Sequence, residues 1–138
     1  MTAQIATYTV SDNRGMPGGL CTVYVKWTSA STGGGTVSLQ ITELLSGKII
    51  ELVTNPGATA PTDNYDITLV SSLSGHDLLE GNGADRDTAN TEQTLVFMER
   101  TIGTNVYGDN PAINEAGAVF TIAAAGGEKI GEAWIIIQ

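Results

Sequence analysis

The sequence predicts an all-β fold, a single-domain antiparallel β-sandwich or small barrel of about eight or nine short strands. Apolar and polar residues alternate with a period of two along most of the chain. Turn signals built on Gly, Pro, Asn and Asp recur every eight to twelve residues or so, the spacing of sandwiches and small barrels. No stretch longer than about two turns keeps an apolar period of 3.6, so helix is a minor element at best. With 138 residues, 41% of them hydrophobic, the chain has the size of one domain and enough apolar surface for a real core.

Cys21, Val23, Val25 and Trp27 alternate with Thr22, Tyr24, Lys26 and Thr28, which predicts a strand with one buried face. After Gly33-Gly34-Gly35, Val37, Leu39 and Ile41 alternate with Ser38, Gln40 and Thr42. Ser46-Gly47 reads as a hairpin turn into a strand over Lys48–Thr54. Asn55-Pro56-Gly57 ends that strand, because proline has no N–H to give a ladder. Asn64–Ser71 is the next strand, with Tyr65, Ile67 and Leu69 on one face.

A long acidic loop over 72–93 follows, with a short strand expected at Leu78-Leu79. A single helical turn at Asp87–Gln93 is the one helical candidate, and its polarity gives it little to bury. Thr94–Arg100 is a strand and Gly103–Asn114 a turn region. Ala116–Ala125 and Glu132–Ile137, separated by Gly126-Gly127, complete the set. The run Trp134, Ile135, Ile136, Ile137 is too apolar for an open edge, so it belongs in the core or in a subunit interface.

Composition excludes several functions. A net charge of −9 with only six bases leaves no basic stripe for phosphates, so no nucleic acid is expected as a partner. No apolar run approaches the roughly 18 residues that span a bilayer, and the anionic surface disfavours anionic lipid, so no membrane is expected. The opening MTAQIATYTV has neither a basic n-region nor an apolar h-region, so no signal peptide is expected. Cys21 is the single cysteine; it forms no intramolecular disulfide and reads as a small buried hydrophobe. His76 is the single histidine, which rules out a His–His pair. No nucleophile elbow, phosphate-binding loop or dinucleotide fingerprint is present. No catalytic residue and no cofactor is expected.

The acidic loop is the one candidate site. Seven of the fifteen acids lie between Asp63 and Glu92, against the single base Arg86. Asp85, Asp87, Asn90 and Glu92 offer oxygens at the short spacing a Ca²⁺ site uses, although Ala89 and Asn90 stand where an EF-hand needs an oxygen ligand and a glycine. The competing reading is a structural loop whose aspartates cap backbone N–H groups. Tyr107, in NVYGD, is the one loop aromatic suited to a sugar or a partner surface.

Three pieces of this region, PTDNYDITL (61–69), the turn carrying Gly75, Asp77, Leu78 and Leu79, and GNGADRDTAN (81–90), resemble a segment of small structural proteins of tailed bacteriophages. The resemblance covers about thirty residues and implies a virion component. Within that group it points to a capsid decoration or cement protein, of the minor capsid type, on the outer capsid surface and assembled in the host cytoplasm. The implied partners are the major capsid protein and further copies of the chain, as a homotrimer. By the same analogy, 1–7 would be a flexible N-terminal arm and 12–19 a mobile loop that help clamp neighbouring capsid subunits. An acidic β-domain suits the shell's outer face, away from packaged DNA. A neck or tail ring protein, and a carbohydrate- or receptor-binding β-sandwich module, are the alternatives.

Overall fold

The computed structural model describes residues 3–32, 34–62 and 64–138. The expected all-β class is correct: the described residues form nine strands and no helix. The strands are β1 (Ile5–Asp12), β2 (Cys21–Thr28), β3 (Val37–Pro56), β4 (Asp66–Val70), β5 (Glu92–Leu95), β6 (Met98–Ile102), β7 (Asn105–Asp109), β8 (Ala112–Ala123) and β9 (Ile130–Ile137).

β3 organises the molecule. Its first half pairs antiparallel with β8, from Val37↔Ile122 to Lys48↔Ala112. Its second half pairs with β9, from Ile49↔Ile137 to Pro56↔Gly131, and with β5 on the other edge. One strand thus belongs to two layers, β1-β2-β9-β3-β5 and β3-β8-β4. Register slips between Ile41 and Leu44 and between Ile49 and Glu51 bend it, as bulges do.

The hairpin turn expected at Ser46-Gly47 does not form. Both residues stay paired with β8, and Gly47, at φ 128°, gives the strand its corner. A Cβ there would stand 2.3 Å from the Gln138 carbonyl oxygen, whose residue exchanges backbone hydrogen bonds with Lys48.

Alternation along β2, β3, β4, β8 and β9 sends Val25, Trp27, Ile41, Leu52, Ile67, Leu69, Phe120 and Ile135 into one core, all at most 1% exposed. Each such side chain contributes about 1.5–3 kcal/mol of burial. β9 lies between β2 and β3, with Ala133, Ile135 and Ile137 buried. Ile135 and Ile137 are therefore core residues. Trp134 and Ile136 are half-buried on the opposite face.

Several other expectations change. Residues 5–7, expected in a flexible arm, open β1: Ile5 pairs with Thr28 and Thr7 with Lys26, while Ala6, Tyr8 and Val10 pack on the core. Residues 1 and 2 of that arm lie outside the described residues. The 12–19 loop is closed by Asn13 N–H to Leu20 O at 3.1 Å and Gly19 N–H to Met16 O at 2.9 Å. Arg14 pins it, donating to Asp12 and to the Ser46 carbonyl, and this partner holds the Asp12 carboxyl down at about 2.

Leu78 and Leu79 sit in turns beside a lone Val70↔Asp77 bridge rather than in a strand. Thr94–Arg100 breaks at Val96-Phe97 into β5 and β6, and the expected turn region holds β7 and the start of β8. The helical turn at Asp87–Gln93 is replaced by an aspartate-capped turn leading into β5.

Candidate functional site

The acidic loop lies along the free edge of β4 and hydrogen-bonds to it at intervals. Leu78 N–H donates to Leu69 O at 2.7 Å, Ile67 N–H to Gly83 O at 2.8 Å, and Arg86 N–H to Tyr65 O at 2.8 Å. This is edge protection by an irregular segment. Asp77 ties the loop together, its Oδ1 accepting from the N–H groups of Leu69 at 3.1 Å and Leu79 at 3.0 Å. At the far end Glu115, 7% exposed, accepts from the Ser71 hydroxyl at 2.5 Å and from the Ser72 N–H at 2.7 Å and hydroxyl at 2.6 Å. Burial alone pushes the Glu115 pKa up. The hydrogen bonds from Ser71 and Ser72 outweigh it and hold the carboxyl below its usual range.

Arg86 is the hub. Its side chain is 1% exposed and donates to Thr54 Oγ1 at 3.0 and 3.1 Å, Thr94 Oγ1 at 2.7 Å and the Glu92 carbonyl at 3.2 Å. Burial lowers its pKa while the Glu92 carboxylate opposes the shift. The single base of the acidic segment thus joins β3, β5 and the loop.

Two of the four residues weighed for Ca²⁺, Asp87 and Glu92, have their carboxylates engaged within the loop. Asp87 Oδ1 accepts from Ala89 N–H at 2.7 Å and Asn90 N–H at 2.9 Å, and these bonds lower its pKa. Glu92 accepts the Asp87 N–H at 2.7 Å and lies 3.4 Å from the Arg86 guanidinium. Asp85, at φ 52°, directs its N–H to Asp66 at 2.8 Å. A guanidinium beside the carboxylates disfavours a further cation. Among the described residues no three His, Cys, Asp or Glu side chains come together to hold a metal ion. Of the set Asp85, Asp87, Asn90 and Glu92, Asp87 and Glu92 cap backbone N–H groups, as the structural reading of the loop expects.

Two surface features remain. On the outer face of the β2-β9-β3 layer, Tyr24 and Trp134 lie with ring centroids 5.2 Å apart. The Tyr24 hydroxyl donates to Glu132, which accepts from Asn55 Nδ2 at 3.2 Å. That carboxylate raises the Tyr24 pKa.

The second feature is the β6–β7 hairpin, a two-stranded sheet that pairs with no other strand among the described residues. Leu95, Phe97, Met98, Ile102 and Val106, on this hairpin and its approach, are 39–73% exposed. Among the described residues, half of the exposed large hydrophobics are gathered in this one segment, where single scattered ones would need no explanation.

The root of the hairpin is anchored. Asn82 Nδ2 donates to Phe97 O at 3.0 Å, Asn110 Nδ2 to Val96 O at 2.8 Å, and Lys48 Nζ to Asp109 at 2.7 Å. Phe97 lies over Gly108, where an added Cβ would come within 1.8 Å of its ring. Tyr107, expected in a loop, is on β7, and its side chain lies outside the described part of the molecule. Gly103-Thr104 between two short β-prone runs is the signal that locates this hairpin. The described residues enclose no pocket for a small molecule.

No protein-family model, curated protein or solved structure matches the chain.

Proposed function

We propose that this chain is a structural protein of a phage virion, a capsid decoration or cement protein on the outer shell surface. It works by surface contact with the major capsid protein and with further copies of itself, as a trimer. The observation that supports the reading best is the concentration of exposed apolar side chains on one projecting hairpin, while β4, an edge of the body, is covered by the acidic loop. Such a patch on an otherwise acidic domain is the mark of a protein that meets other proteins. The resemblance of 61–90 to tailed-phage structural proteins selects the setting.

Immunogold labelling of intact particles with antibodies against the purified chain tests the location. Gold over the outer head is expected. Gold at the neck or along the tail moves the protein to a head–tail or tail ring, and particles without gold overturn the virion reading.

The Tyr24–Trp134 pair beside Glu132 and Asn55 favours a second reading, a carbohydrate- or receptor-binding module, because aromatic rings beside polar groups suit sugars. A saturable change in tryptophan fluorescence on adding glycans, abolished by Trp134→Phe, would support it.

A further inference from the structure

The hairpin is built to be completed. A two-stranded sheet alone is marginal in water, and three or more strands or a packed face are needed for independent stability. In a hairpin with a two-residue turn, the residues flanking the turn exchange both hydrogen bonds, and bonded and non-bonded pairs then alternate. The register Ile102↔Asn105, Thr101↔Val106, Arg100↔Tyr107, Glu99↔Gly108 and Met98↔Asp109 therefore has a definite consequence. Glu99 and Thr101 on β6, and Val106 and Gly108 on β7, direct their backbone N–H and C=O groups away from the hairpin. No hydrogen bond among the described residues reaches those outer edges.

Two other edges of the molecule are closed. The loop covers β4. Across the seam between β1 and the first half of β3, the Gln4 amide donates to Ser38 O at 2.6 Å and accepts from Ser38 N–H at 2.8 Å. Farther along, the Tyr8 hydroxyl oxygen accepts from Thr42 N–H at 3.2 Å.

The local charge selects the occupant. From Gln93 to Asp109 the acids are Glu99 and Asp109 and the base is Arg100, and Asp109 is paired with Lys48, in a molecule of net charge −9. Two copies meeting at the hairpin avoid the repulsion that would oppose contact between their acidic surfaces. A strand edge is also complemented by another strand edge, and each hairpin offers two that run in opposite directions.

We propose that the hairpin is the self-association element of this protein: β6 of one copy pairs antiparallel with β7 of the next. Ile102 and Val106 are covered in the process. Head-to-tail pairing leaves one open edge at each end unless the array closes. Closure at three, which rests on the decoration reading above, leaves none.

The test is native mass by light scattering coupled to size exclusion, on the full chain across a concentration series, for wild type, Val106→Pro and Val106→Thr. Proline removes the outward N–H of residue 106 without touching the hairpin's own ladder. Threonine keeps that N–H and the strand propensity. Wild type is expected to self-associate. Val106→Pro should raise the dissociation concentration by about tenfold or more, and Val106→Thr, which keeps the N–H but covers a hydroxyl, should raise it less, all three with the same circular dichroism. A wild type that is monomeric throughout, or a Val106→Pro mass unchanged from wild type, overturns the inference. Head labelling by a chain that is monomeric in solution leaves the decoration reading standing without it. A trimer that labels no head does the reverse.

Discussion

Arg86 and Glu115 show how a charged residue becomes structural. A guanidinium has five donors in a fixed fork, and Arg86 uses them to join Thr54, Thr94 and the Glu92 carbonyl inside the protein. Arg86→Ala removes these bonds together and opens a cavity, so chemical denaturation should show a loss of about 3 kcal/mol. Arg86→Lys should recover only part of it, because an ammonium cannot span the same acceptors.

Glu115 gives a pH signature. Its folded pKa lies below the ordinary value of 4.5, so an unfolded chain takes up this proton first as pH falls. The stability it contributes is fully present above that value and is lost as pH drops through the depressed folded pKa. Glu115→Gln should therefore melt below wild type at neutral pH, and the gap in Tm should close in acid. A gap that does not change with pH would show that the charge is not what Ser71 and Ser72 stabilise.

At the scale of elements, the corner in β3 rests on one residue. Gly47 lies at φ 128° and within reach of the Gln138 carbonyl. Gly47→Ala meets both obstacles and should cost about 2 kcal/mol in a thermal or denaturant melt. A neutral effect would mean that the bulges alone turn the strand.

The same element shows where the sequence was legible. Strict alternation from Cys21 to Ile137 marked β2, the two halves of β3, β4, β8 and β9, because each has one face in the core. Ser46-Gly47 is ambiguous locally: the same pair serves a tight turn or a corner, and only the partners on β8 and β9 decide. β6 and β7 have no core face, so their alternation carries no burial signal; β6 was merged with β5 into one strand and β7 was hidden inside a supposed turn region. For the site, the acidic loop was located correctly as a segment. Sequence could not choose between its two roles, since capping by Asp87 and coordination by Asp87 need the same oxygens at the same spacing. Arg86 was missed because burial of a single charge depends on residues 32 positions away, which no local pattern reveals.

For the whole molecule the decisive property is charge. Each copy carries −9, so long-range repulsion opposes association and the apolar, locally neutral hairpin must overcome it. Added salt screens that repulsion, with a Debye length near 3 Å at 1 M against about 10 Å at 0.1 M. Sedimentation should therefore show association strengthening as salt rises from about 0.1 to 1 M. Weakening with salt would mean that complementary charges hold the copies together instead.

The position of β9 has a consequence for the order in which the protein is made. β2 and the second half of β3 both pair with it, yet it follows every other strand in the sequence. While the chain is being synthesised, β2 and the second half of β3 emerge with a gap between them. That gap can close only once β9 has left the ribosome. Folding then depends on contacts more than a hundred residues apart, such as Cys21 with Ile137, and is slow for a domain of this size. Until that late insertion the nascent chain exposes two unmatched strand edges, and this is the interval in which it is most exposed to misassembly.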